Sequence, residues 1–185
     1  QLLRLQQILC GYIPTDDGIK EIPTRRLDAM AEAIEEMTGK VIIWARFRRD
    51  IEQIVERLQK DYGDNSVGAY YGDTSDEDRE ALVVNFQDPD HETRFFVGNP
   101  QTAGYGLTLT AAHNVLYFSN DFNLETRVQS EDRCHRIGQT HNVTYVDLIT
   151  EGTVDEHIVR TLQNKIKLAG AALGEEMRQW LNLKR

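Results

Sequence analysis

Residues 41–45 read VIIWA, a short uninterrupted apolar run rich in β-branched side chains. A strand with one wet face alternates polar and apolar residues. A strand buried on both faces does not, so this run predicts an inner strand of a parallel sheet. Working outward, the alternation of such runs with helical patterns continues. An amphipathic helix follows, with Ile51, Ile54, Val55 and Leu58 on one side. A strand near Val67–Tyr71 leads to a helix capped by Ser75 or Thr74 and running to Phe86. Phe95–Val97 and Val115–Phe118 read as further buried strands, and Val143–Ile149 as the last. Asn123 is placed to cap the helix that carries Arg133. Upstream, residues 1–10 have helical apolar spacing, GYIPTDDGIKEIP (11–23) reads as a loop, and Thr24 opens a helix to about Met37. Downstream, residues 153–184 predict two closing helices, the first opened by a Thr153/Glu156 capping box. Strands alternating with helices predict a doubly wound α/β fold, a mainly parallel sheet flanked by helices. Ligands of such sheets sit beyond the carboxyl ends of the strands. The Gly-rich turn after Val97 and the loop leading into the Arg133 helix both leave strands there, which predicts one shared ligand edge.

Composition narrows the function classes. The chain has 185 residues, 40% hydrophobic and 28% charged, ordinary values for one globular domain. Its net charge of −9 argues against a stand-alone nucleic-acid binder but leaves room for a local basic groove. Cys10 and Cys134 are too few for a disulfide framework, and the five histidines are scattered without zinc-ligand spacing, so no metal site is expected. No apolar run reaches membrane-spanning length and no signal peptide is visible, so no membrane partner is expected. Trp44, Phe95, Phe96 and Phe118 fall within buried-strand runs and read as core; Trp180 reads as packing. The acidic run Asp73–Glu80 is a helix start, favourable at the positive end of the dipole.

The stretch richest in chemistry is QSEDRCHRIGQ, residues 129–139. Arg133 and Arg136 are three apart and would share one helical face. Each guanidinium is a planar fork of donors that fits a phosphate, and two together can neutralise charge building on a transferring phosphoryl group. Asp132 is placed to position one of them, and His135 to orient the hydrogen bonds of the run. Three other patterns lead nowhere. Gly39-Lys40 lacks the upstream glycine of a phosphate loop, and Gly104-Tyr105-Gly106 has Leu109 where a third glycine is needed. VDEHI (154–158) opens an amphipathic helix instead of ending a buried strand, so it reads as capping and bracing.

The 129–139 string closely resembles the last helicase motif of the Swi/Snf-type DNA-dependent ATPases of helicase superfamily two. The resemblance extends along nearly the whole chain. NPQTAGYGLTLTAAHNVLYF (99–118) is similar to the family's fifth motif, with Gly104 and Gly106 on its glycine turn. WARF (44–47) matches the fourth motif, YYGDTSDEDRE (70–80) the segment that introduces the next helix, and TVDEHIVRTLQNKI (153–166) the bracing helix. Some positions depart from the pattern. Asn99, Pro100 and Gln101 stand where Ser-Thr-Lys/Arg is usual, Ala103 replaces a glycine, Ser119 replaces an aspartate, and Phe122-Asn123-Leu124 replaces Trp-Asn-Pro. The wording of SNDFNLE (119–125) is closer to phage and bacterial members.

The resemblance implies a RecA-like C-terminal helicase lobe with C-terminal bracing helices. Residues 1–23 would be a lead-in helix and loop, 24–152 the lobe and 153–185 the brace. It implies Arg133 and Arg136 as catalytic arginine fingers, and Gln129, Asp132, Gly104 and Gly106 as ATP-facing residues. DNA contact falls to Arg46, Arg48 and Thr102, with Arg46, Arg48 and Arg49 expected to form a basic strip. ATP and Mg²⁺ would be held mainly by an N-terminal RecA-like lobe absent from this stretch, with no cofactor in the stretch itself. Double-stranded DNA and that N-terminal lobe are the implied partners. The location would be cytoplasmic in a bacterial or phage-infected cell, nuclear in a eukaryote. The other class consistent with the acidic total is a non-catalytic α/β module that docks a partner protein.

Overall fold

The computed structural model describes residues 1–103 and 106–173, so Gly104 and Trp180 lie outside it, as does any helix after residue 173. The chain opens with α1 (Leu2–Leu9), a hairpin of β1 (Tyr12–Thr15) and β2 (Gly18–Glu21), and α2 (Arg26–Glu35). Then β3 (Lys40–Trp44), α3 (Arg48–Tyr62), β4 (Val67–Tyr70), α4 (Asp76–Gln87) and β5 (Phe95–Gly98) follow. The last elements are β6 (Ala112–Tyr117), α5 (Leu124–Glu131), β7 (Thr144–Asp147) and α6 (Val154–Leu173). Five strands form one parallel sheet in the order β4-β5-β3-β6-β7. The expected doubly wound, RecA-like sheet is therefore present, with the VIIWA strand at its centre. No described helix is long and apolar enough to cross a membrane.

The two-sided burial of β3 fixes both layers. Val41 and Ile43 face Met30 and Ile34 of α2 and Ile51, Ile54 and Leu58 of α3. Ile42 and Trp44 face the other way, into Leu82 and Phe86 of α4, Leu109 and Cys134. All four strand residues are 0% exposed, as are Phe95, Phe96 and Phe118. Each such side chain stabilises the fold by roughly 1.5–3 kcal/mol.

Local chemistry sets the helix ends. Ser75, not Thr74, caps α4, its Oγ accepting from the Asp78 N–H at 3.1 Å. Thr74 Oγ1 instead donates to the Ala69 carbonyl. Asn123 Oδ1 accepts from the Glu125 and Thr126 N–H groups at the start of α5. Thr24 Oγ1 accepts from the Arg26 N–H, and α2 stops at Glu35, short of Met37. The predicted capping box at α6 is displaced by one residue. Thr153 Oγ1 accepts from Asp155 N–H and Glu156 Oε2 accepts from Gly152 N–H. The predicted loop 11–23 is partly a hairpin: Thr15 pairs with Gly18 across Asp16-Asp17. Gly18, at φ +121°, takes a backbone shape that other residues resist, and Asp17-Gly18 is a hairpin signal hidden in turn-rich composition.

One buried guanidinium ties four elements together. Arg26 donates to the Phe118 carbonyl at 2.8 Å, the Leu148 carbonyl at 2.9 Å and Thr150 Oγ1 at 3.2 Å. It also pairs with Asp155 Oδ2 at 2.5 Å, both side chains almost wholly buried. Asp155 belongs to the VDEHI segment, which braces the lobe as expected.

A second buried carboxylate lies nearby. Asp50 is 0% exposed; Ser119 Oγ donates to its Oδ2 at 2.9 Å, while its Oδ1 has no hydrogen-bond partner among the described residues. Burial pushes its pKa up to about 6 from 3.8, against the hydrogen bond from Ser119 and the nearby Arg26 charge.

Two outcomes are expected. Asp155→Ala should destabilise the chain by about 3–5 kcal/mol in urea unfolding, because it leaves the Arg26 charge buried and unpaired. The double variant Arg26→Met/Asp155→Leu should recover much of that loss. For Asp50 the folded carboxyl holds its proton up to about pH 6 while the unfolded chain releases it near pH 3.8. The native state therefore binds more protons in that window, and this group's contribution falls as pH rises through it. Asp50→Asn should match the parent near pH 4 and exceed its stability by on the order of 3 kcal/mol at pH 8. Parallel stability–pH curves for the two would contradict this.

Candidate functional site

At the carboxyl edge of the sheet, the ends of β3, β5 and β6 are sewn together. Arg46 N–H donates to Ser119 Oγ at 2.8 Å, and the Asn99 side-chain amide donates to the Arg46 carbonyl at 2.6 Å. The Arg46 guanidinium reaches Gln6 Oε1 of α1 at 2.6 Å and Asp121 at 3.5 Å. Gln6 in turn donates to the Asn120 carbonyl, so α1 is latched to this edge. A narrow crevice lies here, lined by Arg46, Asn99, Gln101, Asp121 and Arg127 among others.

The expected basic strip is not found at Arg46, Arg48 and Arg49. Arg48 pairs with Glu52 at 2.8 Å and with Asp73, and Arg49 pairs with Glu21 at 2.9 Å and Glu52 at 3.7 Å. The first turn of α3 places Glu52 within i,i+3 and i,i+4 reach of both arginines, so acids neutralise them. Asp50 plays no part in this, being turned into the core. Thr102 is exposed in the turn after β5, where its N–H faces Asn99 Oδ1 at 3.4 Å.

The arginine motif differs from the expected helical face. Helix α5 ends at Glu131 with Asp132 as its cap, so Arg133 and Arg136 stand in the turns beyond it. The two are brought together nonetheless. Their guanidinium groups converge on the Leu107 carbonyl, at 3.5 Å from Arg133 and 3.3 Å from Arg136. Arg136 also donates to Thr108 Oγ1 at 3.2 Å, and Asp132 Oδ2 lies 3.8 Å from its Nε.

The charge balance of Arg133 is unlike that of Arg26 and Arg127. Arg127 is held by Asp147 at 2.5 Å and Glu131 at 2.6 Å and lies over the Tyr117 ring. Arg133 is only 5% exposed, yet no carboxylate pairs with it among the described residues. Burial lowers its pKa, Asp132 opposes that, and the neighbouring Arg136 charge adds to it. A buried cation with one long hydrogen bond among the described residues is a poor arrangement by itself and a good one for receiving an anion.

Gln139 sets the loop's shape, a role that sequence reading did not assign. Its side-chain amide is aimed at the carbonyls of Ala112 at 2.8 Å, Cys134 at 3.1 Å and Thr110 at 3.2 Å. Leu109 N–H donates to the Arg133 carbonyl at 2.8 Å. The only sequence signal for this clamp is that Gln139 closes the 129–139 string. Because Ala112 begins β6, the arginine loop packs on the approach to that strand's amino end. This corrects the single shared edge: α5 leaves the carboxyl edge at Asn123 and runs back along the sheet, carrying the arginines away from it.

The remaining expected residues fall around this loop. Gln129 bonds Glu125 along α5 at 3.0 Å. Gly106 has φ +97° with open space where a Cβ would stand, and it precedes Leu107, the shared acceptor. His135 is exposed, and its ring bonds no other described residue; only its backbone N–H, donating to the Glu131 carbonyl, is engaged. Cys134 is buried with its thiol pushed up to about 11 by burial, which makes it inert. Among the described residues no three His, Cys, Asp or Glu side chains gather as metal ligands.

Comparison with known proteins agrees with this architecture. The profile of the family described as "Helicase conserved C-terminal domain" matches residues 25–138. The SWI/SNF chromatin-remodeling complex subunit snf22 of Schizosaccharomyces pombe is 37% identical over 102 residues, 55% of this chain and 6% of that protein. The chromatin-remodeling ATPase INO80 of Mycosarcoma maydis is 32% identical over 149 residues, 80% of this chain and 8% of that protein. The chain thus spans less than a tenth of the length of these two relatives. Among solved structures, the Sulfolobus solfataricus SWI2/SNF2 ATPase core in complex with dsDNA superposes with a TM-score of 0.69 at 31% identity. That match covers 90% of this chain and 35% of the solved one. The chain belongs to the helicase conserved C-terminal domain family and has the RecA-like fold of the C-terminal lobe of Swi/Snf-type ATPases.

Proposed function

We propose that this lobe is the second half of an ATP-driven double-stranded DNA translocase, supplying Arg133 and Arg136 to the γ-phosphate of ATP held on a facing RecA-like lobe. The observation that carries the reading is the pair of guanidinium groups converging on Leu107 O, one of them buried with no carboxylate paired to it among the described residues. Their donors fit a phosphate. Bound ATP·Mg²⁺ supplies the transferring phosphoryl group. Arg133 and Arg136 orient that group and neutralise its charge. Asp132 steers Arg136, Gln129 lies one helical turn before the loop, and Gly104 and Gly106 are assigned to the ATP-facing side by the family resemblance. Residues 1–23 lead into the lobe at 24–152, and 153–185 brace it.

Thr102, Arg46 and Arg48 belong to the DNA-facing edge in this reading. The ion pairs of Arg48 are exposed, and such pairs are weak enough to exchange an acid for a phosphate. The double-stranded DNA in the solved Sulfolobus complex supports the choice of partner. The protein acts where its DNA is, in the nucleus of a eukaryote or the cytoplasm of a bacterial or phage-infected cell.

In the two-lobe protein, Arg133→Ala and Arg136→Ala should each lower DNA-stimulated turnover by roughly 10³–10⁵ while ATP affinity changes little. Steady-state phosphate release beside equilibrium nucleotide binding measures both, and near-parental turnover in both variants would remove the proposal's centre. The 185-residue chain alone should release no phosphate from ATP above a no-protein blank, with or without DNA. Stimulated release from the purified chain would show that it carries its own phosphate cradle.

A further inference from the structure

The arginine loop carries a feature that phosphate chemistry does not use. Ile137 is 105% exposed, beyond any other large apolar residue among those described, and it lies directly after Arg136. Single exposed apolar residues such as Val84 or Leu168 on helix surfaces need no explanation. Ile137 differs because the loop around it is pinned. Cys134 is buried, Arg136 is bonded to Leu107 and Thr108, its carbonyl accepts from Gln139 N–H at 3.0 Å, and Gln139 is clamped to three carbonyls. Gly138, at φ +104°, makes the bend that leaves the isoleucine at the apex. The loop therefore presents an apolar knob on a fixed base, flanked by Arg136 and His135.

We propose that Ile137 is the seating contact between this lobe and the nucleotide-holding lobe of the same protein, entering an apolar recess there when the cleft closes. The inference rests on the arginine reading above. A guanidinium must come within about 3 Å of a phosphate oxygen to hydrogen-bond it. For Arg136 to do so, the facing lobe must approach the next residue as well, and a fully solvated isoleucine at that position loses its water. Burial of that side chain is favourable only in the closed state, so it draws the arginines into register without strengthening nucleotide binding to the open state. Ile137 is a positioning residue; the arginines alone touch the phosphate.

The test uses the two-lobe protein with Ile137→Asp, Ile137→Val and Arg136→Ala. Ile137→Asp should lower kcat by about ten- to a hundredfold, the range expected for losing one buried aliphatic side chain, with nucleotide affinity of the open state unchanged. Ile137→Val should keep most of the activity. Fluorophores on the two lobes should report closure with ADP and aluminium fluoride in the parent and the Val variant, and reduced closure in the Asp variant. Thermal unfolding of the 185-residue chain should be the same for all three Ile137 side chains, since the residue is fully exposed. If Ile137→Asp closes and turns over like the parent while Arg136→Ala does not, the knob is refuted and the arginine reading stands. If both variants behave like the parent, both readings fall.

Discussion

A charge removed from water is the constraint on which the rest of this lobe depends. Arg26 is enclosed where the ends of β6 and β7 meet α2 and the start of α6, and each of its donors is spent on one of those elements. Desolvating a guanidinium costs several kcal/mol, and only a complete set of partners offsets it. The arrangement tolerates no half-formed version. The α6 brace must be docked for the pair to exist, and the two strand ends must lie at fixed spacing for both carbonyls to be reached.

Two kinds of arginine follow from that logic. Arg26 and Arg127 are neutralised in place and act as fasteners. Arg133 and Arg136 are packed against one shared backbone carbonyl and a hydroxyl, with only a 3.8 Å approach from Asp132. Among the described residues, a close carboxylate thus separates Arg26 and Arg127 from Arg133. Glu131 shows how closely the two are set: its side chain fastens Arg127 while the next residue, Asp132, ends the helix and begins the arginine turns.

Much of the architecture was legible because burial writes a strong signal. The apolar runs at 41–45, 95–97 and 115–118 name three inner strands, and Ser75 and Asn123 announce their helices through chemistry that acts over three residues. The hairpin at 12–21 was not legible, since its alternation is thin and its composition is that of a turn. At the site, the spacing of Arg133 and Arg136 correctly implied proximity but for the wrong reason. They meet at Leu107 O from irregular backbone, a contact that depends on residues nearly thirty positions apart. The pairing of Arg48 and Arg49 with Glu52 could be read from spacing alone. Their further partners Asp73 and Glu21 come from other elements and needed the fold. Gln139 is the clearest case of a long-range role, because a glutamine reveals nothing of which carbonyls it will find.

Helix α6 has a mechanical consequence. Its twenty residues span about 30 Å, and it is held near its beginning by Asp155 and further along by Lys165, whose ammonium donates to the Phe122 carbonyl at 2.7 Å. Tied at two points and with Ile158, Val159 and Leu162 buried, the helix turns as one piece with the strand ends that hold it. A rotation of about 10° about the Arg26 anchor moves its far tip by roughly 5 Å over that length.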